Sequence, residues 1–370
     1  MTDQGLKTQT FVLNMGPQHP STHGVMRLMV ELDGEVVVDL KPIMGYLHRG
    51  VERLCEEGTY LQNITLTDRL DYVSSMTNNW AYVLAVEELA GIQVPERAEY
   101  LRVIAAELQR IANHLIAIGS FAADLGTYFT PFMYCFRERE LILDLFERLC
   151  GARLTYSYMC PGGVRRDADE VFIAKTREFL DLMPHRIDEY ERLLTENEVF
   201  LARTKGIGIL PPDVAVNYSV TGPTLRGSGV RYDVRREAPY GIYPRFDFRV
   251  PVGEVGDCFD RYMVRIHEMR ESLRIVRQAL AELPKGEVKA NVPRVLRPPA
   301  GEAFSRIEAP KGELGFFIVS DGSIAPYRCK IRSPSFINLG VLRHMVLGLK
   351  VADVIACFGS IDVVLGEVDR

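Results

Sequence analysis

Two histidines set the first question. His19 and His23 lie four residues apart in Gly16-Pro-Gln-His-Pro-Ser-Thr-His-Gly24. On a helix that spacing would place both imidazoles on one face and could hold a metal. Here Pro20 follows His19 directly, and Gly16, Pro17 and Gly24 frame the segment. Proline confines its predecessor to extended geometry, which argues against a helix. The segment reads instead as a rigid loop leaving a strand at Phe11–Asn14, with Ser21 and Thr22 free to bond local backbone. Such a loop can hold an imidazole out into a cavity. It can equally be a turn whose histidines only satisfy hydrogen bonds, and the chemistry of the residues leaves both readings open.

The elements that must position this loop follow along the chain. Val25–Leu32 and Glu35–Leu40 are β-branched and aliphatic, with the Asp33-Gly34 turn pair between them, so they predict an antiparallel hairpin beside the loop. Helical character begins near Leu47, and Asp68–Ala90 reads as one long helix. Pro95 opens the next. In it Leu101, Ile104, Ala105, Leu108, Ile111, Ala112 and Leu115 recur at helical spacing. Gly119 and Gly126 predict a break that carries Asp124. A further helix is expected from Pro131 to Cys150, stopped by Gly151. Arg137-Glu138-Arg139-Glu140 reads as its salt-bridged face.

Pro161-Gly162-Gly163 predicts a loop. Two helices, Asp169–Leu182 and Pro184–Glu196, are expected after it. Residues 205–256 are irregular. Within them Gly222-Pro-Thr-Leu-Arg-Gly-Ser-Gly229 lacks the spacing of a phosphate loop and the strand–glycine–helix order of a dinucleotide site. Asp257 caps a strong helix. Phe259, Met263, Ile266, Leu273, Val276, Leu280 and Leu283 form its core stripe, its Arg and Glu residues a solvated or intersubunit face, and Pro284 its end. Five prolines in residues 284–311 read as a linker. Leu314–Ser320, Asp321-Gly322 and Pro326–Ile331 predict a second hairpin. A helix over Ser335–Leu347 and a short tail close the chain.

The fold class is therefore α+β: a central helical bundle with small antiparallel sheets from the N- and C-terminal segments. The divisions are an N-terminal β segment with the His loop (1–46), a helical bundle (47–204), an irregular segment plus long helix (205–284), a Pro-rich linker (285–311) and a C-terminal α/β segment (312–370).

Composition bounds what this fold can do. A chain of 370 residues can bury a large core. Its net charge of −5 argues against nucleic acid or an anionic membrane surface as partner. The seven cysteines include no Cys-x-x-Cys, so neither a zinc site nor an iron–sulfur cluster follows from spacing. Scattered single cysteines suit a reducing compartment. Met1–Thr10 shows no export-signal pattern, and no stretch approaches the ~20 apolar residues of a membrane helix.

Several long motifs, in order, resemble one family. They are the His loop, Gly45-Tyr-Leu-His-Arg-Gly-Val-Glu52, Thr59-Tyr-Leu-Gln-Asn63, Pro161-Gly-Gly163, Ser320-Asp-Gly-Ser, Ser333-Pro-Ser-Phe-Ile-Asn338 and Glu367-Val-Asp-Arg370. The chain resembles the D subunit of the proton-translocating NADH–quinone oxidoreductase, respiratory complex I, from about Phe11 to Arg370. That family is similar in fold to the large subunit of nickel–iron hydrogenases. The hydrogenase metal motifs fall on Arg69-Leu-Asp-Tyr-Val-Ser74 and Asp362-Val-Val-Leu-Gly-Glu367. Asp71, Ser74, Val364 and Glu367 thus stand where thiolates would be. Nickel and iron carrying carbon monoxide and cyanide need soft thiolates, so no metal site is expected and the pocket is free for another ligand. Asn78, where hydrogenases carry histidine, points the same way.

The resemblance implies a quinone-reduction cavity formed with an iron–sulfur protein of the same complex. It assigns head-group contacts to His23 and to Tyr82, in Asn79-Trp-Ala-Tyr82, and makes Asp124, in Ala123-Asp-Leu-Gly126, the partner of His23. Quinone reduction takes two electrons and two protons. The electrons would tunnel from an iron–sulfur cluster in a neighbouring subunit, and the protons need donors within hydrogen-bond reach of the quinone oxygens. Imidazole and phenol suit that task, with a carboxylate behind the imidazole favouring its charged form. A change of charge on Asp124 would start the signal toward the membrane pump.

The chain would bind no cofactor alone. Its implied partners are the iron–sulfur B subunit, the C subunit and the membrane-embedded H subunit of the complex. Its implied place is the cytoplasmic side of the cell membrane, as a peripheral protein. Ubiquinone and menaquinone are not distinguished. The alternatives are a structural scaffold of the same or a deazaflavin- or ferredoxin-fed complex, and a metal-dependent hydrogenase, which the missing thiolates disfavour. Two positions depart from the family: Thr155 stands where a cluster-proximal histidine is frequent, and Cys160 where an arginine is.

Overall fold

The computed structural model describes residues 9–127 and 129–370. Most of Met1–Thr10, read above as free of an export signal, lies outside the described residues.

Three strands form the N-terminal sheet, β1 (Phe11–Met15), β2 (Arg27–Asp33) and β3 (Val36–Ile43), in the order β1-β2-β3. The Asp33-Gly34 turn joins the last two, as the sequence predicts. Leu28, Val30 and Leu32 alternate inward along β2, the period-two pattern of a half-buried strand. The register sets Val30 opposite both Leu13 and Leu40.

α1 (Val51–Glu57) and α2 (Ile64–Thr67) precede α3 (Ser75–Ala90). The expected helix from Asp68 thus begins only at Ser75. Side chains in between bond backbone and compete with helix: Asp71 Oδ1 accepts from Val73 N at 3.1 Å, and Ser75 Oγ donates to the Asp68 carbonyl at 2.8 Å. α4 (Glu96–Asp124) runs unbroken through Gly119. A Cβ there would lie 3.2 Å from Phe132 Cα, so this glycine admits the close passage of α5 (Thr130–Cys150) instead of ending a helix.

β4 (Met159–Cys160) and β5 (Gly163–Val164) enclose the Pro-Gly-Gly turn. Buried Arg102 fixes it, donating to the carbonyls of Cys160 and Gly163, each at 3.0 Å, while pairing with Glu87 at 2.6 Å. α6 (Glu170–Tyr190) joins the two helices expected around Pro184 and continues into a wider turn at Glu191–Thr195. Proline cannot donate to the Leu180 carbonyl one turn back; Arg277 donates to it instead.

α7 (Glu198–Thr204), α8 (Pro212–Asn217), α9 (Gly222–Gly227) and α10 (Val234–Glu237) are short, and α11 (Cys258–Ala281) is long. Asp257 caps α11 as expected, accepting from Asp260 N at 2.8 Å. Its charged face departs from expectation, because Arg261, Arg265 and Glu268 are buried. They are tolerated through pairing: Glu268 accepts from His114 of α4 at 2.9 Å and from Arg226 Nε of α9 at 2.8 Å. α4 is likewise buried on its polar side at Glu107, Arg110 and Asn113.

The stretch read as a linker contains a strand, β6 (Gly301–Ala309). It pairs with β7 (Gly312–Ser320), which pairs with β8 (Arg328–Arg332). This sheet packs on α3, while α4 lies between α5 and α11. The single closing helix and tail are instead four helices: α12 (Pro334–Leu339), α13 (Leu342–Val346), α14 (Val351–Ile361) and α15 (Leu365–Asp369). The α+β class with a helical centre is the one observed. Among the described residues no helix is long and apolar enough to cross a membrane.

Candidate functional site

The His loop is rigid and non-helical apart from one tight turn at Pro20–Thr22. Thr22 Oγ1 donates to the carbonyls of Pro17 and His19 at 3.1 and 3.0 Å. Ser21 N donates to His19 Nδ1 at 3.2 Å, so His19 is consumed in local structure. Gly16 has φ +81°, and a Cβ on it would lie 2.2 Å from the Met26 carbonyl. His23 itself sits at φ +56°, a left-handed conformation that a non-glycine residue keeps only when its surroundings enforce it.

That backbone turns the His23 ring against Phe358 of α14, with centroids 5.6 Å apart. The residue stays open to solvent on one side while protein crowds the other. Burial lowers its basicity, the Asp362 carboxylate offsets part of this, and Lys311 lowers it further. Asp362 ends α14 in a left-handed conformation, φ +61°.

Behind His23 lies a buried charge cluster. Lys311 occupies the β6–β7 turn, and its Nζ stands 3.0 Å from Asp71 and 3.6 Å from Asp362. It also donates to Asn113 of α4, whose own Nδ2 donates to Asp362 at 2.8 Å. Burial and the Asp362 and Asp71 charges act on Lys311 together, with a net rise in its pKa. Asp362 is held low against burial by Lys311 and Arg265, whereas burial raises Asp71. Glu367 is pushed up to about 7 by burial and by Asp71, so it can hold a proton near neutrality.

The glycine run at 222–229 serves this cluster. A Cβ on Gly222 would lie 2.5 Å from the Lys311 carbonyl, and Asn338 donates to that same carbonyl at 3.1 Å. The run packs the lysine turn in place.

The structure separates the residues singled out from sequence. Tyr82 is fully buried in α3. Its hydroxyl donates to the Tyr60 carbonyl at 3.1 Å, and its ring meets Phe316 edge-on at 5.6 Å. Its ionisable neighbours are Cys329, Cys55 and Tyr60, whereas those of His23 are Asp362 and Lys311. Tyr82 is a core residue and does not reach the His23 face. Asp124 ends α4 and meets the His loop at Ser21, whose Oγ donates to it at 3.5 Å. Burial raises its pKa, while Ser21 and the His19 charge lower it. The carboxylate acting on His23 is Asp362.

The tyrosine that accompanies His23 is Tyr72. It is 37 % exposed and lies in the turn before α3. Burial and Asp71 raise its pKa, while Lys311 and Arg49 lower it. Its ring abuts α15, with Cε1 3.2 Å from where a Cβ on Gly366 would stand. Lys311 thus acts on both an imidazole and a phenol that are open to solvent. Sequence carried one signal for this, the adjacency of Tyr72 to Asp71 in a displaced metal motif. A surface hollow lined by Arg231, Arg236, Arg249 and His267 contains none of these groups.

Two of the four former metal positions, Asp71 and Glu367, act on each other electrostatically. Ser74 Oγ instead bonds Thr77 Oγ1 at 2.7 Å, and Val364 N donates to Ser335 Oγ at 3.5 Å.

Comparison with known proteins agrees with this architecture. The family described as "Respiratory-chain NADH dehydrogenase, 49 Kd subunit" matches residues 124–299 and 291–370. A protein of Dehalococcoides mccartyi, named as the D subunit of an NADH-quinone oxidoreductase, is 59 % identical over 365 residues, covering 99 % of this chain and 100 % of the relative. The protein of that name from Desulforamulus reducens is 54 % identical over 364 residues, covering 98 % and 99 %. A protein of Roseiflexus sp., named as the first of two such D subunits, is 55 % identical over 373 residues, covering 99 % and 100 %. On this likeness, spread over nearly its whole length, the chain belongs to the family of the 49 kDa, or D, subunit of NADH–quinone oxidoreductase.

Proposed function

We propose that this chain forms the head-group end of a quinone-reduction cavity in a proton-translocating NADH–quinone oxidoreductase, with His23 and Tyr72 meeting the two quinone oxygens. The observation that supports it is that both side chains are open to solvent and both lie within the field of buried Lys311. A quinone oxygen gains negative charge as electrons arrive. Polarised N–H and O–H donors that strengthen their bonds at that moment favour reduction over mere binding.

Each donor then passes one proton as quinol forms, with two electrons supplied from an iron–sulfur cluster of a neighbouring subunit. Glu367, neutral up to about pH 7, is a proton reserve beside them. Asp71 and Asp362 hold Lys311 charged, so proton loss from His23 or Tyr72 is felt across the cluster. That disturbance is the local event from which coupling to proton translocation would begin. The chain acts as a peripheral protein beside the cytoplasmic face of a membrane, with the iron–sulfur B, the C and the membrane-embedded H subunits as neighbours.

The test is Tyr72→Phe in the assembled complex, assayed with a short-tail quinone. Loss of an acid-base group lowers turnover by about a hundredfold or more. Undiminished turnover would remove Tyr72 from the reaction.

A further inference from the structure

Two pairs of buried cysteines come together in this fold. Cys55 of α1 and Cys329 of β8 are within hydrogen-bonding reach, and so are Cys258 of α11 and Cys357 of α14. All four thiols are free and fully buried. The two pairs differ in what surrounds the sulfur.

At the second pair Arg261 Nη2 donates to Cys258 Sγ at 3.3 Å. The same guanidinium is fixed by the carbonyls of Gly256 and Gly208 at 2.7 and 2.9 Å and by Ser360 Oγ at 2.9 Å. Those partners are neutral, which leaves its charge for the sulfur. Cys258 also opens a helix of 24 residues, where backbone amides favour an anion. Gly208, at φ +63°, completes the nest. A Cβ there would lie 2.5 Å from Cys357 Sγ and 3.2 Å from both Cys258 Sγ and Arg261 Nη2. Two sulfurs and a cation therefore converge on one point that only glycine leaves open.

Burial raises the Cys258 pKa, but the hydrogen bond from Cys357 and the Arg261 charge outweigh it and bring the thiol below its ordinary value. At the other pair, the contact with Cys55 and burial push Cys329 well up.

We infer that Cys258 and Cys357 form a peroxide-reactive dithiol, with Cys258 the nucleophile and Cys357 the thiol that closes a disulfide. Full burial selects a small uncharged oxidant, hydrogen peroxide, over bulky disulfides such as oxidised glutathione. The Cys258 thiolate attacks one peroxide oxygen. The O–O bond breaks, and the departing hydroxide takes a proton to become water. Cys258 is then a sulfenic acid. The Cys357 sulfur attacks Cys258 Sγ and gives up its proton, the S–O bond breaks, and a second water leaves. Two electrons pass from the dithiol to the peroxide.

The consequence reaches the candidate site through α14. Phe358, next to Cys357, carries the ring against which His23 rests, and Asp362 ends the same helix. A covalent tie between α11 and α14 shifts that wall.

The test uses the intact complex. It is exposed to hydrogen peroxide, denatured, alkylated without reductant and digested. The expected product is a Cys258–Cys357 linked peptide pair, lighter by two hydrogen atoms than the free thiols, restored by dithiothreitol and absent for Cys55 with Cys329. Full alkylation of Cys258 and Cys357 in wild type, or equal linkage of both pairs, overturns the proposal; neither reading needs a variant. The kinetic arm rests on the quinone reading. Peroxide raises KM for a short-tail quinone in wild type and leaves Cys357→Ser unchanged. Linkage without a KM change would overturn only the transmission to His23, and an equal KM change in both proteins would overturn it as well.

Discussion

Lys311 Nζ lies 3.0 Å from an Asp71 carboxylate oxygen, and both side chains are almost wholly withdrawn from water. Asn113 and Asp362 complete the ring around the ammonium. Removing one member of a buried pair leaves the others uncompensated, at a cost of about 3–5 kcal/mol. Lys311→Met is therefore expected to lower the unfolding free energy of the protein by that amount. The double variant Lys311→Met with Asp71→Asn should recover part of it. Thermal and urea unfolding of both variants check the relationship, and additive losses would show that the pair is not coupled.

The two tyrosines should separate function from stability. Tyr82→Phe removes the hydroxyl bonded to the Tyr60 carbonyl and should cost about 1 kcal/mol of stability, with quinone turnover retained. Tyr72→Phe should do the reverse. Assaying turnover and unfolding on both variants decides which tyrosine meets the substrate.

Asp362 raises the His23 pKa against the lowering by burial. Taking away its charge must therefore move the pKa further down. For Asp362→Asn, the pH at which His23 loses its proton is expected to fall, measured by the imidazole proton shift or by the pH profile of kcat/KM. An upward movement would mean that another group governs His23.

Glu107 carries the clearest acid signature. Burial pushes its pKa up, but Arg110 and Arg235 win and bring it from 4.5 to about 2. A carboxyl lowered on folding contributes stability that is complete above the unfolded value and is lost as pH falls through the folded one. Stability should thus decline between pH 4.5 and about 2. Glu107→Gln should flatten the slope in that window while lowering stability near neutrality. Urea midpoints measured across the window provide the check.

Gly222 leaves room for the backbone of the lysine turn. Gly222→Ala should displace Lys311 and lower both stability and turnover, while Gly126→Ala, where a Cβ meets nothing within 4 Å, should cost only what its positive φ imposes. Comparing the two variants by unfolding and turnover separates steric from conformational cost.

Sequence alone determined what local chemistry can determine. Proline and glycine around His19 and His23 excluded a helix, Asp33-Gly34 made the hairpin, and Asp257 and Gly151 marked helix ends, because each acts within a few bonds of itself. The order of motifs carried the family, and the valine and carboxylates in the displaced metal motifs spoke against thiolate chemistry. Only the tertiary structure decided which tyrosine and which carboxylate keep company with His23. Tyr72 and Tyr82 are equally plausible as letters, but one lies in an open turn and the other inside α3 against β7. Asp362 and Lys311 reach His23 and Asp71 across more than two hundred residues of chain, and the charged faces of α4 and α11 are buried only because each finds its counter-charge on the other. Such pairings depend on where separate elements cross, and no spacing within one element encodes that.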